Sequence, residues 1–329
     1  MAMNDTTNHT TTESAPASES AGMPRLHKII FAVLLVFLIV LPFFVYPVFA
    51  MKVMCFALFA AAFNLLLGFG GLLSFGHAAY FGGASYIAAH AAKVWGLTPE
   101  LSILCGAAAA GVLGFAIGSL AIRRQGIYFA MVTLAFAQMV YFIALQADFT
   151  GGEDGIQSVP RGDLFGLIPL ADNMALYFFV LLVTFGGILM LYRIVHSPFG
   201  EVLKAIRENE QRAISLGYDV NRYKLIVFTL SATMSGVAGA TKSQVFQLAT
   251  LTDVHWSMSG EVVLMTLLGG MGTVFGPLVG AGLIVTMQNY LATFGAWVTI
   301  IQGVIFVIGV LMFREGIVGV VSRWLKRSL

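Results

Sequence analysis

The sequence predicts an all-α polytopic membrane protein with about ten transmembrane helices, some broken at glycine clusters, and an internal repeat. Its 329 residues are 58% hydrophobic and only 10% charged, whereas soluble domains carry about 25% charged residues. The apolar residues form runs that approach the roughly 20 residues needed to cross a hydrocarbon core as a helix. The 36 glycines favour membrane helices that approach one another closely or break.

The predicted spans, in chain order, are residues 29–49, 53–68, 75–92, 101–122, 127–146, 174–192, 225–246, 262–268, 278–291 and 297–313. Together they predict a transmembrane domain over 29–315. Residues 1–28 are predicted to be a disordered polar tail, because they cannot bury a core. The first apolar run exceeds a signal-peptide core and lacks a cleavage site after it, so it is predicted to be a span. Residues 316–329 are predicted to be a basic tail.

Charge asymmetry predicts the orientation of these spans. Basic clusters precede the first span, follow the fourth span, fill the segment 196–224 and end the chain. Ten crossings would place all of them on one side, which the positive-inside rule assigns to the cytoplasm, together with both termini. The acidic loop 147–172 would then lie on the opposite side. Glycines interrupt the second, third and eighth spans, so re-entrant segments remain an alternative that would change the count.

The segment 196–224 is the longest polar stretch between the apolar runs. Pro198 is a helix-start signal, the Glu208–Glu210 stretch predicts a corner, and Gly217 is a predicted end of a second short helix. One helix face carries the apolar residues Phe199, Leu203 and Ile206, and the other carries the charged residues Glu201, Lys204 and Glu208. Two such helices suit a docking surface for a soluble partner, and an ordinary solvated loop is the alternative.

Two glycine-rich stretches, 66–77 and 267–277, resemble each other and predict an internal repeat. Their predicted helix-break glycines are Gly68, Gly70, Gly71 and Gly76 in the first stretch and Gly269, Gly270, Gly272 and Gly276 in the second. In transporters, paired glycine interruptions indicate a substrate site where unwound backbone lines a cavity. Chance similarity among sequences rich in Gly and Leu is the alternative.

Polar residues within the apolar runs are the candidate substrate pathway: Asn64, Ser74, His77, Gln138 and Glu261. An ionisable residue at membrane depth is a functional hypothesis. For His77, a neutral histidine that bonds freed backbone is the favoured interpretation, and Asn64 and Ser74 are interpreted in the same way. For Glu261, a carboxylate favoured by the first turn of a helix is the simpler interpretation. For Gln138, a residue that lines a pathway and a residue that only bridges two helices are equally open interpretations.

The composition and motifs exclude several classes of protein. The net charge of +2 gives no indication of a nucleic-acid partner. Cys55 and Cys105 lie in apolar runs without metal-ligand spacing, so neither a disulfide nor a metal site is predicted. No nucleophile elbow, zinc-protease motif or P-loop is present, so no catalytic residue is predicted, and any ATP is expected to bind another chain.

Four stretches together resemble the branched-chain amino acid permease family of ABC transporters, and its M-type subunit in particular. They are NLLLGFGGLLSFGHAAYFGGASY (64–86), GIYFAMVTLAFAQM (126–139), SPFGEVLKAIRENEQRAISLGYDVNRYKL (197–225) and LLGGMGTVFGPLVGAGLI (267–284). The resemblance covers the chain from about residue 29 onward.

The resemblance implies an inner-membrane permease subunit of an ATP-driven, binding-protein-dependent importer, with no enzyme activity of its own. Implied partners are a paralogous second permease subunit, two cytoplasmic ATPase subunits that bind ATP and Mg, a periplasmic solute-binding protein and membrane lipid. It also implies a segment that couples to the ATPases, for which the candidate residues are Glu201, Lys204, Arg207, Glu208, Asn209 and Gly217. Arg207 and Glu208 are expected at the ATPase contact itself.

Leucine, isoleucine or valine is the expected cargo of such an importer. Relatives that carry urea, amides or other small carboxylates give the alternative within the same class. A stand-alone carrier driven by an ion gradient is the rival from another class. The scarcity of carboxylates within the spans disfavours it, because proton-coupled carriers commonly use them.

Overall fold

The computed structural model describes residues 25–292, 295, 297–312 and 316–325, and helices dominate them. In chain order they are α1 Arg25–Val40, α2 Pro47–Asn64, α3 His77–Lys93, α4 Pro99–Ala121, α5 Ile127–Gln146, α6 Asn173–Val195, α7 Pro198–Glu208, α8 Glu210–Ser215, α9 Val220–Phe246, α10 Leu251–Val254, α11 Trp256–Gly269, α12 Gly276–Leu291, α13 Trp297–Met312 and α14 Gly316–Leu325. Two short antiparallel pairs accompany them: β1 Ile156–Gln157 with β4 Leu248–Ala249, and β2 Asp163–Leu164 with β3 Ile168–Pro169.

Five helical stretches among the described residues are long and apolar enough to cross a membrane: Pro47–Phe69, Pro99–Ala121, Ile127–Gln146, Asn173–Val195 and Val220–Phe246. The helices α3, α11, α12 and α13 are shorter, at 17, 14, 16 and 16 residues. The all-α membrane architecture is thus supported, whereas the count of ten crossings and the equivalence of the two halves stay predictions.

The predicted first span, 29–49, is wrong in its second half. The helix α1 ends at Val40, a 3₁₀ turn covers Leu41–Phe43, and α2 begins at Pro47. Pro42 has no N–H to donate and therefore ends α1, whereas Pro47 occupies the first position of α2, where an N–H is not needed. The sequence prediction treated both prolines as part of one apolar run.

The ends of the chain are also more helical than predicted. The helix α1 begins at Arg25, so only residues 1–24 of the predicted tail remain, and these lie outside the described residues. Residues 316–325 of the predicted basic tail form α14, in which Val318 is buried. The start of α14 packs against a glycine, since a Cβ on Gly316 would lie 2.3 Å from Gly270 Cα.

Small residues bring α3, α4 and α9 into backbone contact. A Cβ on Gly239 of α9 would lie 1.9 Å from the Phe81 carbonyl oxygen of α3. A Cβ on Gly236 would lie 2.4 Å from Ala110 Cβ of α4. Glycine and alanine permit this approach, which membrane helices use in place of a hydrophobic driving force.

The helix α2 occupies the centre of the bundle, and α5 lies at its edge. In Pro47–Phe69, 89% of the most apolar window is buried, compared with 28% in α5. The neighbours of α2 are α6, α9, α11 and α12. Its aromatic residues Phe59 and Phe63 are fully buried. Groups at the two ends of α2 are therefore well placed to connect several helices.

The acidic loop 147–172 is held onto the bundle by Arg161. The guanidinium donates from Nη1 to Asn173 Oδ1 at 2.8 Å and from Nη2 to the Val245 carbonyl oxygen at 2.9 Å. Burial lowers the pKa of the Arg161 guanidinium, although arginine stays protonated at any physiological pH. The loop is thereby attached to the start of α6 and the end of α9.

A buried ion pair joins the end of α9 to α10. The ammonium of Lys242 pairs with the carboxylate of Asp253, and their side chains are 14% and 2% exposed. We expect Asp253→Asn to lower the free energy of unfolding by about 3–5 kcal/mol, because it leaves a buried cation without its partner. Unfolding in mixed detergent micelles measures this.

The matched control is Asp154→Asn, which alters an exposed carboxylate that forms no ion pair within the described residues. The double variant Lys242→Met/Asp253→Leu removes both charges and should recover much of the lost stability. Equal stability of Asp253→Asn and the wild type would contradict the assignment of this pair as structural.

Candidate translocation and coupling site

Asn64 joins the two glycine-rich stretches at the end of α2. Its Nδ2 donates to the Thr273 carbonyl oxygen at 2.8 Å, and its Oδ1 accepts from the Gly272 N–H at 3.0 Å. The side chain is 2% exposed. A single amide thus satisfies two backbone groups that the break between α11 and α12 leaves free. We call the region formed by residues 64–76 and 269–276 the glycine junction.

Both glycine stretches end one helix and begin another. A π-helical turn, Leu65–Phe69, closes α2, and Gly71 follows with φ +68°. Gly272 has φ +79°. A Cβ on Gly68 would lie 2.6 Å from the Gly272 backbone nitrogen. The two stretches therefore touch through backbone at a position that only glycine fits, which agrees with the predicted breaks.

Arg207 connects α7 to the glycine junction. Its Nη1 donates to the Gly68 carbonyl oxygen, and its aliphatic stem covers Gly71, where a Cβ would lie 3.0 Å from Arg207 Cγ. The sequence analysis placed this side chain at the contact with an ATPase. The guanidinium has a partner within the chain, so Arg207 connects the segment 196–224 to the junction. Its side chain is also exposed, and the ATPase contact stays a prediction.

Glu210 anchors the other side of the corner between α7 and α8. Its carboxylate pairs with the buried ammonium of Lys224 at 2.8 Å and accepts from Gln125 Nε2 at 3.2 Å. A cleft of about 510 Å³ lies between this anchor and the glycine junction. A second cleft of about 460 Å³ lies on the other side of Arg207 and is lined by Lys204, Glu208 and Gly272.

The two short helices of the segment form where the sequence predicts them. The Ser197 side chain caps α7, and Asn209 separates the helices and caps α8 by accepting from the Arg212 N–H at 3.0 Å. Gly217 follows α8 with φ +87°, as expected after a helix end. Lys204 pairs with Glu201 at 2.8 Å rather than with Glu208.

An exposed apolar patch at the end of α8 and in the turn after it was not predicted from the sequence. Its members are exposed large side chains: Ile214 at 50%, Leu216 at 68% and Tyr218 at 40%. The inward side of the same helix is held by buried Ala213. Buried and exposed apolar residues follow one another in this stretch, and hydrophobicity alone does not distinguish them. The sequence therefore did not indicate which of them are exposed. Glu208 and Arg212 lie exposed beside it in the chain.

His77 and Ser74 have structural surroundings. His77 is fully buried, and its Nε2 lies 2.9 Å from Ser231 Oγ, whose hydroxyl donates to the Ala62 carbonyl oxygen at 2.6 Å. Ser74 is also fully buried and accepts from the Gly76 N–H at 3.1 Å. Ser74 bonds freed backbone at the first glycine break, as expected, whereas His77 bonds a neighbouring hydroxyl rather than freed backbone.

The other two pathway candidates lie on different helices. Gln138 is half-buried on α5 and makes no hydrogen bond to any residue that the structure describes. Glu261 is half-buried on α11, and its Oε2 accepts from Gln288 Nε2 of α12 at 3.0 Å. The structure brings Asn64, Ser74 and His77 to the glycine junction and its edge, whereas Glu261 belongs to a separate polar cluster.

That separate cluster contains charged residues that the sequence analysis missed. Lys52 of α2, Lys242 of α9 and Asp253 of α10 interact electrostatically with one another and with Glu261. They are far apart in the chain, so only the packing of α2, α9, α10 and α11 reveals them. The signal available in the sequence was one lysine between the first two predicted spans and another inside the predicted span 225–246. No group of metal-ligating side chains occurs among the described residues.

The family model described as "Branched-chain amino acid transport system / permease component" matches residues 47–311. The chain belongs to this family. The matched residues include both glycine stretches, the segment 196–224 and the polar cluster. Family membership and the long apolar helices together identify a multi-pass membrane protein of a transport-system permease family.

Individual relatives give the same family and differ in their cargo. The chain is 27% identical over 255 residues to the high-affinity branched-chain amino acid transport system permease protein LivM of Escherichia coli. This alignment covers 70% of the present chain and 59% of the relative. It is 29% identical over 195 residues to the ribose import permease protein RbsC of Bacillus subtilis, covering 54% and 58%.

A third relative is the probable branched-chain amino acid transport permease protein LivH of Methanocaldococcus jannaschii, 28% identical over 166 residues, with coverage of 46% of this chain and 50% of the relative. The aligned part of this chain thus spans 50–59% of the length of these three curated relatives. No solved structure matched the chain.

We expect Gly71→Leu and Gly272→Leu each to remove most of the transport activity, whereas Ala32→Leu in α1 should leave it unchanged. Either leucine adopts a left-handed conformation that costs about 1–2 kcal/mol and also meets the Arg207 side chain. Ala32 is exposed on a regular helix. Substrate uptake by variants matched for membrane levels is the measurement. Normal uptake by both glycine variants would remove the glycine junction from the mechanism.

Proposed function

We propose that this chain is one of two permease subunits of an ATP-driven, binding-protein-dependent importer, and that its cargo is a branched-chain amino acid. Family membership supports the class of transporter. The similarity to both LivM and LivH proteins supports pairing with a paralogous second permease. The family description and the LivM similarity favour leucine, isoleucine or valine, and the ribose permease is the reason to test a sugar as well.

The observation that carries the proposal is the internal connection between the segment 196–224 and the glycine junction. Arg207 holds the Gly68 carbonyl, and Glu210 holds Lys224 and Gln125. A force applied to the outer surface of α7 and α8 therefore reaches α2, α9 and the breaks between helices directly. A solvated loop without a coupling role has no need for such connections.

The proposal also includes the partners of the chain. In this proposal, a pair of cytoplasmic ATPase subunits binds ATP and Mg, and one of them docks on the patch formed by Ile214, Leu216 and Tyr218. Exposed apolar residues rimmed by charges are typical of interaction sites. A soluble binding protein delivers cargo to the opposite side. The chain lies in the inner membrane with both termini in the cytoplasm, as the basic clusters favour.

The cargo is tested by reconstituting the chain with its second permease, ATPases and binding protein in liposomes. We expect ATP-dependent uptake of L-leucine and no uptake of ribose. Omission of the ATPases should abolish uptake. Leucine uptake by this chain alone, driven by a proton or sodium gradient, would support the rival secondary carrier and overturn the proposal.

The docking surface is tested by Leu216→Asp, with Leu167→Asp as the matched control. Leu216 is 68% exposed on the proposed ATPase side, and Leu167 is 84% exposed in the loop 147–172. We expect Leu216→Asp to weaken co-purification of the ATPases by roughly tenfold or more, since a central apolar contact contributes about 2 kcal/mol or more to an interface. Leu167→Asp should assemble normally.

The variant Arg207→Gln tests whether Arg207 connects α7 to the glycine junction without taking part in ATPase docking. This variant keeps a polar side chain at an exposed position but removes the guanidinium that binds the Gly68 carbonyl. We expect it to keep the ATPases bound and to hydrolyse ATP without matching uptake. Arg124→Gln, which alters an exposed arginine at the same end, should behave as the wild type. Loss of assembly in Arg207→Gln would place Arg207 in the ATPase contact itself. Normal assembly with normally coupled transport in this variant would exclude both the ATPase contact and the connecting role.

A further inference from the structure

The polar cluster lies away from the glycine junction. Its four ionisable members come from four helices and are Lys52, Lys242, Asp253 and Glu261. Lys52 precedes Asn64 by twelve residues on α2, and Gln288 follows Gly276 by twelve residues on α12. At 1.5 Å per residue, both lie about 18 Å along their helices from the junction. Glu261 precedes Gly269 by eight residues, which is about 12 Å. The cluster therefore lies toward the opposite end of the bundle from α7 and α8.

Two members of the cluster form an ion pair with each other, and the other two have no partner of opposite charge in contact. Lys242 and Asp253 form the buried ion pair. Glu261 accepts only from the neutral amide of Gln288, at 3.0 Å. The ammonium of Lys52 makes neither a hydrogen bond nor an ion pair with any residue that the structure describes, although it lies within electrostatic range of Glu261. Both Lys52 and Glu261 are half-buried.

An unpaired lysine and a carboxylate without a cation are costly in this environment. Charged groups between the helices of a membrane-protein bundle are expected to pair with each other or to mark a substrate or ion pathway. Lys52 and Glu261 lie on the neighbouring helices α2 and α11. Their charges attract each other through space, but the two side chains form no ion pair. A ligand that carries both charges on adjacent groups would satisfy the pair at once.

We propose that Lys52 and Glu261 form a binding site for the charged head of an α-amino acid, in which Lys52 binds the carboxylate and Glu261 binds the ammonium. The Gln288 amide orients the Glu261 carboxylate. This inference rests on the proposed transport function and names the residues that would recognise the transported molecule. A neutral sugar would leave both charges unpaired, so the site selects an amino acid over a ribose-like cargo at a step after the binding protein.

The test uses the complete complex, with both permeases and the ATPases, in lipid nanodiscs without binding protein. Equilibrium dialysis measures binding of radiolabelled L-leucine. We expect leucinamide, which lacks the carboxylate, and 4-methylpentanoate, which lacks the ammonium, to compete at least roughly tenfold more weakly than leucine, since each loses one charge contact. Competition by both analogues as strong as that by leucine would overturn the proposal.

The residues are tested by Glu261→Gln and Lys52→Met, with Glu153→Gln as the matched carboxylate-to-amide control in the exposed loop 147–172. We expect both variants to lose leucine binding and to transport roughly tenfold less leucine per ATP hydrolysed. Glu261→Asp, which keeps the charge, should recover part of the binding. Wild-type binding and uptake in Glu261→Gln and Lys52→Met would show that the proposal is wrong.

Two further outcomes separate the alternatives. If either variant loses the second permease during purification, the charges belong to the contact between subunits and the binding site is excluded. If the wild-type complex shows no ATP-dependent leucine uptake, the proposed transport function fails. If the wild type transports leucine and the variants equal it, only the binding site fails.

Discussion

The architecture depends on how the chain satisfies backbone groups where its helices break. Hydrocarbon offers no hydrogen bonds, so a broken helix is tolerated only where protein groups take over the freed N–H and carbonyl groups. Asn64 does this for the second break, and Arg207 does it for the first. Because Arg207 belongs to α7, the same contact that stabilises the break also attaches the segment outside the apolar core to it.

Because the Arg207 contact has both roles, the segment 196–224 and the glycine stretches form one unit. Gly316 at the start of α14 packs on Gly270, so a third part of the chain reaches the same place. Small residues, an amide and a guanidinium meet there within a few ångströms. Bulk at these positions would separate the helices that the segment connects.

The local features of the fold were predictable from the sequence, since they depend on neighbours in the chain. Pro198, Asn209 and Gly217 act through their own backbone preferences, and each lies where a helix begins or ends. The bounds of α5 agree with the prediction because glycine precedes it and no proline interrupts it. The first span was misjudged because Pro42 and Pro47 were read only for hydrophobicity.

The contacts between distant parts of the chain were not predictable in this way. Arg207 and Gly68 are 139 residues apart, and Asn64 and Thr273 are 209 apart. A helical pattern indicates which side of α7 is charged, but it does not indicate that one of those charges turns back to a carbonyl. The polar cluster around Glu261 was missed for the same reason, since Lys52, Lys242 and Asp253 come from separate helices.

The contact among α3, α4 and α9 has a mechanical consequence. Backbone lies against backbone at Gly239 and Phe81, so no side chain is available there to change rotamer and absorb displacement. Close-packed interiors transmit strain rather than deform. These three helices therefore respond to a load as a single stiff block, and compliance is left to the turns around Gly71 and Gly270, where the backbone angles are unusual. Both turns lie beside Arg207, so the least constrained backbone of the bundle adjoins the side chain that attaches α7 to it.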